Sequence, residues 1–375
     1  MNKETLAPIL MIYIEPTPYI LGLIHEIEVQ TDRPVKVYFV KENLSQPWGL
    51  SLEGKTASVL PTGLKGIWWA ISAITKKPKI LHLAGWGNPL MIISMLLGLV
   101  FRIPISIESD TQLPLALAAW KRLIKASVYP LLFKVPSVFF PGGSRQAEYL
   151  RHYGVSEEKI VPSQMTVDVC QIQTRCSELG IQGRNKIRQE LKINQNDMVF
   201  IFVGRLVAHK GLNDLLAAFE QVSKHYTQAH LLVVGDGPEA NRMLVASQAN
   251  SAVHPLGRLD QDGVIGMLNA SDVAVVPSHF EPWGLVVNEA MAAGLPVIAS
   301  DRVGAVDDLV RHGQNGIVFP ARDHHMLVSA MEYLYKNPDK RREFAEAGRA
   351  LISRWTLADS AKIMVDSWLA IKSKT

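Results

Sequence analysis

The chain is poor in cysteine: Cys170 and Cys176 are the only two among 375 residues. Two cysteines build no disulfide framework, and no Cys-rich cluster is spaced for a structural zinc. A reducing, cytoplasmic setting is expected. Long apolar runs are also missing. The most hydrophobic run, Leu90–Phe101, falls short of the roughly 20 residues that a bilayer-spanning helix needs. The start, Met1-Asn2-Lys3-Glu4, has an acid where a secretory leader carries only bases, so no leader is expected. Acid is scarce in one stretch. Residues 61–140 hold nine Lys and Arg against Glu108 and Asp110, net +7, within a chain of net charge +4. The same stretch carries Trp68, Trp69, Trp86 and Trp120. Basic charge beside aromatics suits an anionic membrane surface or nucleic acid; a plainer reading is a solvated face over a tryptophan-lined core. The pattern Leu64–Ile74 sets Ile67, Trp68, Trp69, Ile71 and Ile74 beside Lys65, Lys76, Lys77 and Lys79. That is the composition of a helix lying in a membrane interface. The expectation is a cytoplasmic protein, either peripheral on the inner face of the plasma membrane or, on the plainer reading, merely basic on one solvated face, with no nucleic-acid partner.

What is present argues for two α/β domains. The length and the 48% hydrophobic content suffice for two cores. Short apolar runs alternate with helical patterns, the signature of strand–helix–strand units and parallel sheets. Strands are expected at Ile9–Ile14, Val35–Val40, Ile80–Leu83, Ile103–Glu108 and Val138–Phe140. A second series is expected at Met198–Val203, His230–Val234, Val273–Val276, Pro296–Ala299 and Gly316–Phe319. A helical pattern over Leu115–Leu132 contains Pro130, which should end or kink it. The polar stretch Gln171–Asp197 separates the series and reads as a hinge with one short helix, Ile187–Leu191. Domains are expected over 1–180 and 181–355, with a terminal helix over 356–375.

Four strand-to-helix turns in the second series carry chemistry. Gly204-Arg205 and His209-Lys210-Gly211 follow one strand and precede a helix. Two cations beside a helix N-terminus make an anion cradle, without the Walker spacing. Gly235-Asp236-Gly237-Pro238 ends the next strand, where parallel sheets bind ligands. Gly257-Arg258-Leu259 is a third such turn. The fourth, Ser278-His279-Phe280-Glu281-Pro282-Trp283-Gly284-Leu285, runs into a helix carrying Asn288-Glu289. Glu281 sits in the loop and Glu289 just over one turn into the helix, so both can face one cleft.

The order Gly204-Arg205, Lys210-Gly211, Gly235-Asp236-Gly237-Pro238, Glu281 and Glu289 resembles the retaining glycosyltransferases of family 4 (group 1). Asp301 to Asp308 and Gly313 to Gly316 continue the likeness, which is dense over about residues 185–320. The resemblance implies the GT-B fold: two Rossmann-like domains with parallel sheets facing across a cleft, the last helix crossing back to the first domain. It implies transfer of a sugar from a nucleoside diphosphate (a UDP- or GDP-sugar) to an acceptor hydroxyl, without a resident cofactor or metal; with the membrane-facing reading, the acceptor is expected to be a lipid-linked or polysaccharide precursor in cell-surface glycan synthesis. By that likeness Arg205 and Lys210 would hold the diphosphate, with Gly204 and Gly235 allowing close backbone approach. Glu289 would bond the ribose, Glu281 the sugar hydroxyls, and the Gly284 and Leu285 amides the sugar or phosphate. Arg258 and Leu259 would border the base. The loop Glu15-Pro16-Thr17-Pro18-Tyr19-Ile20-Leu21-Gly22 departs from the family, having one Gly where a pair is usual. On the acceptor side Asp110 is the first candidate to orient or deprotonate the hydroxyl, with Glu108 and His82 competing. A GT-B nucleotide-sugar epimerase and a non-catalytic binding subunit are the alternatives.

Overall fold

The computed structural model describes residues 6–42, 57–114 and 116–371. The chain divides into two compact units, Met1–Val167 with Leu357–Thr375, and Asp168–Thr356. Each is a six-stranded, all-parallel sheet with helices on both faces.

The first unit contains β1 (Ile9–Tyr13), β2 (Val35–Phe39), β3 (Ala57–Val59), β4 (Ile80–Ala84), β5 (Ile105–Ser109) and β6 (Val138–Pro141). Their order is β3-β2-β1-β4-β5-β6, the doubly wound arrangement. Helices cover both faces, so β1 and β6 are apolar along their whole length. The helices Leu64–Thr75 and Pro89–Val100 and the end of Ala119–Leu132 pack on one face, through Ala70, Ile74, Met91, Met95 and Leu132. The helices Pro18–Gln30 and Leu357–Ala370 cover the other, through Leu23, Ile27, Met364 and Trp368.

The second unit contains β7 (Met198–Val203), β8 (Ala229–Val234), β9 (Val253–Gly257), β10 (Val273–Val276), β11 (Val297–Ser300) and β12 (Gly316–Phe319). Read from β9 to β12, the order β9-β8-β7-β10-β11-β12 repeats that of the first unit. The strand order reverses between β7 and β10, a switch point of the kind that opens a crevice at the C-terminal ends of parallel strands.

The structure differs from the sequence reading in definite places. The stretch Gln171–Asp197 is mostly one long helix, Val169–Glu190, broken only at Gly180. It packs on the helix Gln261–Ala270, with Arg175 bonded to Asp262 and Arg184 to the carbonyls of Asn269 and Ser271. These contacts tie it to the second unit, so the division falls at Asp168, ahead of 181. The helix expected from Leu115 begins at Ala119; Leu115 itself lies outside the described residues. Pro130 sits in its last turn, where the helix stops two residues later. Of the side chains expected on a membrane-facing helix, Ile74 is fully buried and Trp69 lies against Tyr38, with ring centroids 3.9 Å apart. Trp68 alone of the pair is exposed.

Candidate functional site

The loops after β7 and β10 meet at the switch point of the second sheet. Their backbones are joined, since the His279 amide donates to the His209 carbonyl at 2.7 Å. A second tie is the His279 Nε2 contact with Asp214 Oδ2 at 2.7 Å. Gly211 lets the two loops close. Its φ is +72°, and a Cβ there would lie 2.0 Å from the Pro277 carbonyl oxygen. Only glycine accepts that backbone and that contact. One strand over, a Cβ on Gly235 would lie 1.8 Å from the Gly204 carbonyl oxygen. The turns after β7 and β8 are therefore pressed together, with no side chain between them.

This closeness brings the charged residues of the two loops together. Lys210 Nζ forms an ion pair with Glu281 Oε2, both side chains largely buried. Arg205 is exposed and has no ion-pair partner among the described residues. Desolvation lowers the pKa of the His209 imidazole, and the charges of Lys210, Arg205 and His279 add to that effect while Glu281 opposes it. One imidazole thus senses all four groups. Glu281 is held by its own backbone, donating to the Arg302 carbonyl at 3.1 Å and accepting from the Gly304 amide at 2.9 Å.

Gly284, in a left-handed conformation, ends this loop and starts the helix Leu285–Ala293. The Leu285 and Val286 amides belong to the first turn, where N–H groups lack helical partners. Trp283 is buried and donates from Nε1 to Asn288 Oδ1 at 3.0 Å, which fixes the helix to the loop. One residue on, Glu289 has no hydrogen-bond or ion-pair partner among the described residues. Desolvation pushes its carboxyl up to about 7. A half-buried carboxylate without donors is primed to take them from a ligand. Ser278 Oγ, buried in the same loop, also lacks a hydrogen-bond partner among the described residues. Sequence reading missed Ser278, His279 and Asp214 as parts of the site. Only the position of Ser278 and His279 in the loop before Glu281 hinted at them. Arg258 and Leu259 follow β9, the edge strand two places from β7.

The remaining candidates lie in the first unit. Asp110 is exposed on the loop after β5. Glu108, half-buried at the end of β5, accepts from the Tyr13 hydroxyl at 3.2 Å. His82 is fully buried, so it is not itself open to an acceptor. Its Nδ1 lies 3.0 Å from Ser106 Oγ and its Nε2 3.3 Å from the Tyr13 hydroxyl. Tyr13 uses its proton on Glu108, so its oxygen accepts, and His82 carries its proton on Nε2. Ser106 Oγ in turn accepts from Trp368 Nε1 of the terminal helix at 2.9 Å. Burial, and then the charge of Glu108, push the Tyr13 pKa far up, which keeps that hydroxyl a donor. The single glycine near β1, Gly22, serves packing: a Cβ there would lie 2.7 Å from Leu357 Cδ1. The loop before it ends in an N-cap, Thr17, followed by Pro18.

Residues 183–351 match the family model of the glycosyl transferases group 1. The chain is 31% identical over 152 residues to a glycogen synthase of Mycobacterium tuberculosis, covering 40% of this chain and 36% of that protein. It is 33% identical over 157 residues to a phosphatidyl-myo-inositol mannosyltransferase of Mycobacterium leprae, covering 41% and 42%. These matches span less than half of either relative. Anabaena Alr3699/HepE, solved in complex with UDP, superposes with a TM-score of 0.81 over 97% of this chain and 100% of that one, at 19% identity. That likeness is one of fold. The second unit thus carries the match to the group 1 glycosyltransferases, and the chain has the GT-B fold of its solved neighbours.

Proposed function

We propose that this protein transfers a sugar from a nucleoside diphosphate to a hydroxyl acceptor carried on a lipid, with retention at the anomeric carbon, as in glycosyltransferase family 4. The observation that carries the donor reading is the group at the switch point: the Lys210–Glu281 pair, with Arg205 and the desolvated carboxyl of Glu289, neither of which has an ion-pair partner among the described residues. Arg205 and Lys210 take the diphosphate, whose charge grows as the sugar leaves. The Gly284 and Leu285 amides bind at the sugar or phosphate, with Gly204 and Gly235 leaving the backbone open. Glu289 accepts from the ribose hydroxyls, Glu281 from sugar hydroxyls, and Arg258 and Leu259 border the base. The C1–phosphate bond breaks while the acceptor oxygen bonds C1 on the same face, and the acceptor proton passes to the leaving phosphate. Glu281 positions rather than attacks. Asp110 orients the acceptor hydroxyl. UDP in the Anabaena neighbour makes a UDP-sugar the first donor to try, ahead of a GDP-sugar.

Thermal-shift titration with UDP-, GDP- and ADP-sugars tests the donor, since a ligand of the folded state raises the melting temperature. A flat response across the panel would refute it. Product formed from the sugar nucleotide without any acceptor would replace transfer with epimerisation.

Glu289 supplies a second test. Ribose donors stabilise its ionised form, so binding lowers its pKa from about 7. At pH 6 the free carboxyl is mostly protonated, and binding releases up to one proton. Affinity should rise with pH until about 7 and level off above it. Calorimetry at pH 6 in two buffers of different ionisation heat reads the proton directly. Glu289→Gln should abolish that release and weaken nucleotide binding; an unchanged proton count would remove Glu289 from the ribose.

A further inference from the structure

We infer that the outer layer of the first unit, crested by the helix Ala119–Leu132, is a docking surface for an anionic lipid bilayer. The inference rests on the reading of a lipid-borne acceptor above and identifies the surface that reaches it. The helix Ala119–Leu132 buries none of its residues. Trp120, Leu123, Ile124, Val128 and Leu131 are exposed, Leu123 by 69% and Leu131 by 66%. Their spacing puts all five on one side of the helix, the side turned to solvent. Soluble helices turn such a stripe inward. Here the inward side holds Lys125, Tyr129 and Leu132 instead, with Lys125 Nζ bonded to the Tyr149 hydroxyl at 3.3 Å.

The neighbouring helices extend this surface. Leu64–Thr75, Pro89–Val100 and the end of Ala119–Leu132 pack on the same sheet face, so their outer sides belong to one layer. Leu64, Trp68, Leu96, Leu99 and Val100 are exposed on it. None of the three helices contains an Asp or a Glu. Lys65, Lys121 and Arg122 lie on them, and Lys76, Lys77 and Arg102 at their ends, all exposed. The opposite face of the same sheet is ordinary by contrast, with Glu26, Glu28, Asp359 and Asp366 on its two helices.

Charge and shape select the occupant. A second copy docked face to face would set cation against cation. Nucleic acid needs bases at the crest, whereas this crest is Leu, Ile and Val with the bases flanking it. An apolar ridge flanked by cations is what an anionic interface accepts, the ridge entering the acyl boundary and the bases meeting the headgroups.

Co-sedimentation with phosphatidylcholine vesicles, with and without phosphatidylglycerol, tests the proposal. The wild type should bind the anionic vesicles at low salt and release them at high salt. Lys121→Gln/Arg122→Gln should lower vesicle affinity roughly 30-fold. Leu123→Glu/Ile124→Glu should abolish it. Both variants alter exposed side chains, so nucleotide affinity and melting temperature should stay as in the wild type. Lys210→Ala should bind vesicles normally, which separates this surface from the donor site. Vesicle binding without any sugar transfer would refute the functional reading and leave the surface standing. No preference for anionic vesicles would overturn the surface. So would a solution dimer dissolved by Leu123→Glu/Ile124→Glu, or nucleic acid binding in place of lipid.

Discussion

Replacing Lys210 by alanine should lower kcat/KM for the sugar nucleotide by roughly two to three orders of magnitude while leaving the fold intact. The side chain is 20% exposed and its partner Glu281 13%. Truncation acts twice. It removes a cation from the diphosphate, and it takes from Glu281 its Lys210 partner beside an anionic substrate. Loss of one partner from such a desolvated pair costs about 2–5 kcal/mol. Arg205 is exposed and pairs with no carboxylate among the described residues. Arg205→Ala should therefore cost only about tenfold, since it orphans no buried charge. The double variant Lys210→Ala/Glu281→Gln should be less impaired than the product of the single effects, because the two side chains pair directly and their losses are coupled. Nucleoside-diphosphate release assays on these variants, on Glu281→Gln alone and on the wild type measure the effects, and melting curves check the fold. Near-wild-type kcat/KM in Lys210→Ala would exclude Lys210 from the donor site.

The central strands of both sheets were legible because they are covered on both faces and therefore apolar throughout. β7 reads Met-Val-Phe-Ile-Phe-Val without a polar interruption. The two strands that pattern reading missed, β3 and β9, are both edge strands. β3 has three residues, and β9 contains Pro255, which removes a ladder donor and is tolerated only at an edge. The loops that carry Arg205, Lys210 and Glu281 were legible because glycines mark where loops must close, as at Gly211 and Gly235. The contacts that hold the site were not. His279–Asp214 joins residues 65 apart in sequence, and Tyr13, Ser106 and Trp368 meet His82 from three separate elements. No local pattern announces such pairs. The exposed stripe on Ala119–Leu132 was not legible for a related reason. Its periodicity is that of a core helix, and only the structure shows that the stripe points outward.

The most consequential misreading concerns Arg188, in the stretch taken for a hinge. Its guanidinium is 1% exposed. It donates from Nε to the Ala270 carbonyl at 2.8 Å, from Nη1 to those of Gln195 and Asp197 at 2.9 and 2.8 Å, and from Nη2 to Asp272 Oδ2 at 2.8 Å. Asp272 also accepts from the Val199 amide at 2.7 Å. One side chain thus joins the helix Val169–Glu190 to the segments entering β7 and β10. Arg188→Ala would strip the buried Ala270 and Asp197 carbonyls of this donor and leave Asp272 to Arg184 and the Val199 amide. The expected cost is about 3–5 kcal/mol. At roughly 2–4 °C per kcal/mol for a unit of this size, the melting temperature should fall by about 6–20 °C. These contacts lie at the N-terminal ends of β7 and β10, opposite the loops that carry Arg205, Lys210 and Glu281. Turnover measured well below the melting transition should therefore change by less than about threefold. Scanning calorimetry and low-temperature kinetics separate the two effects. A variant that melts like the wild type would show that Arg188 is dispensable to the unit. One that keeps its melting temperature but loses turnover would tie the buried Arg188 cluster to the site at the far end of the strands.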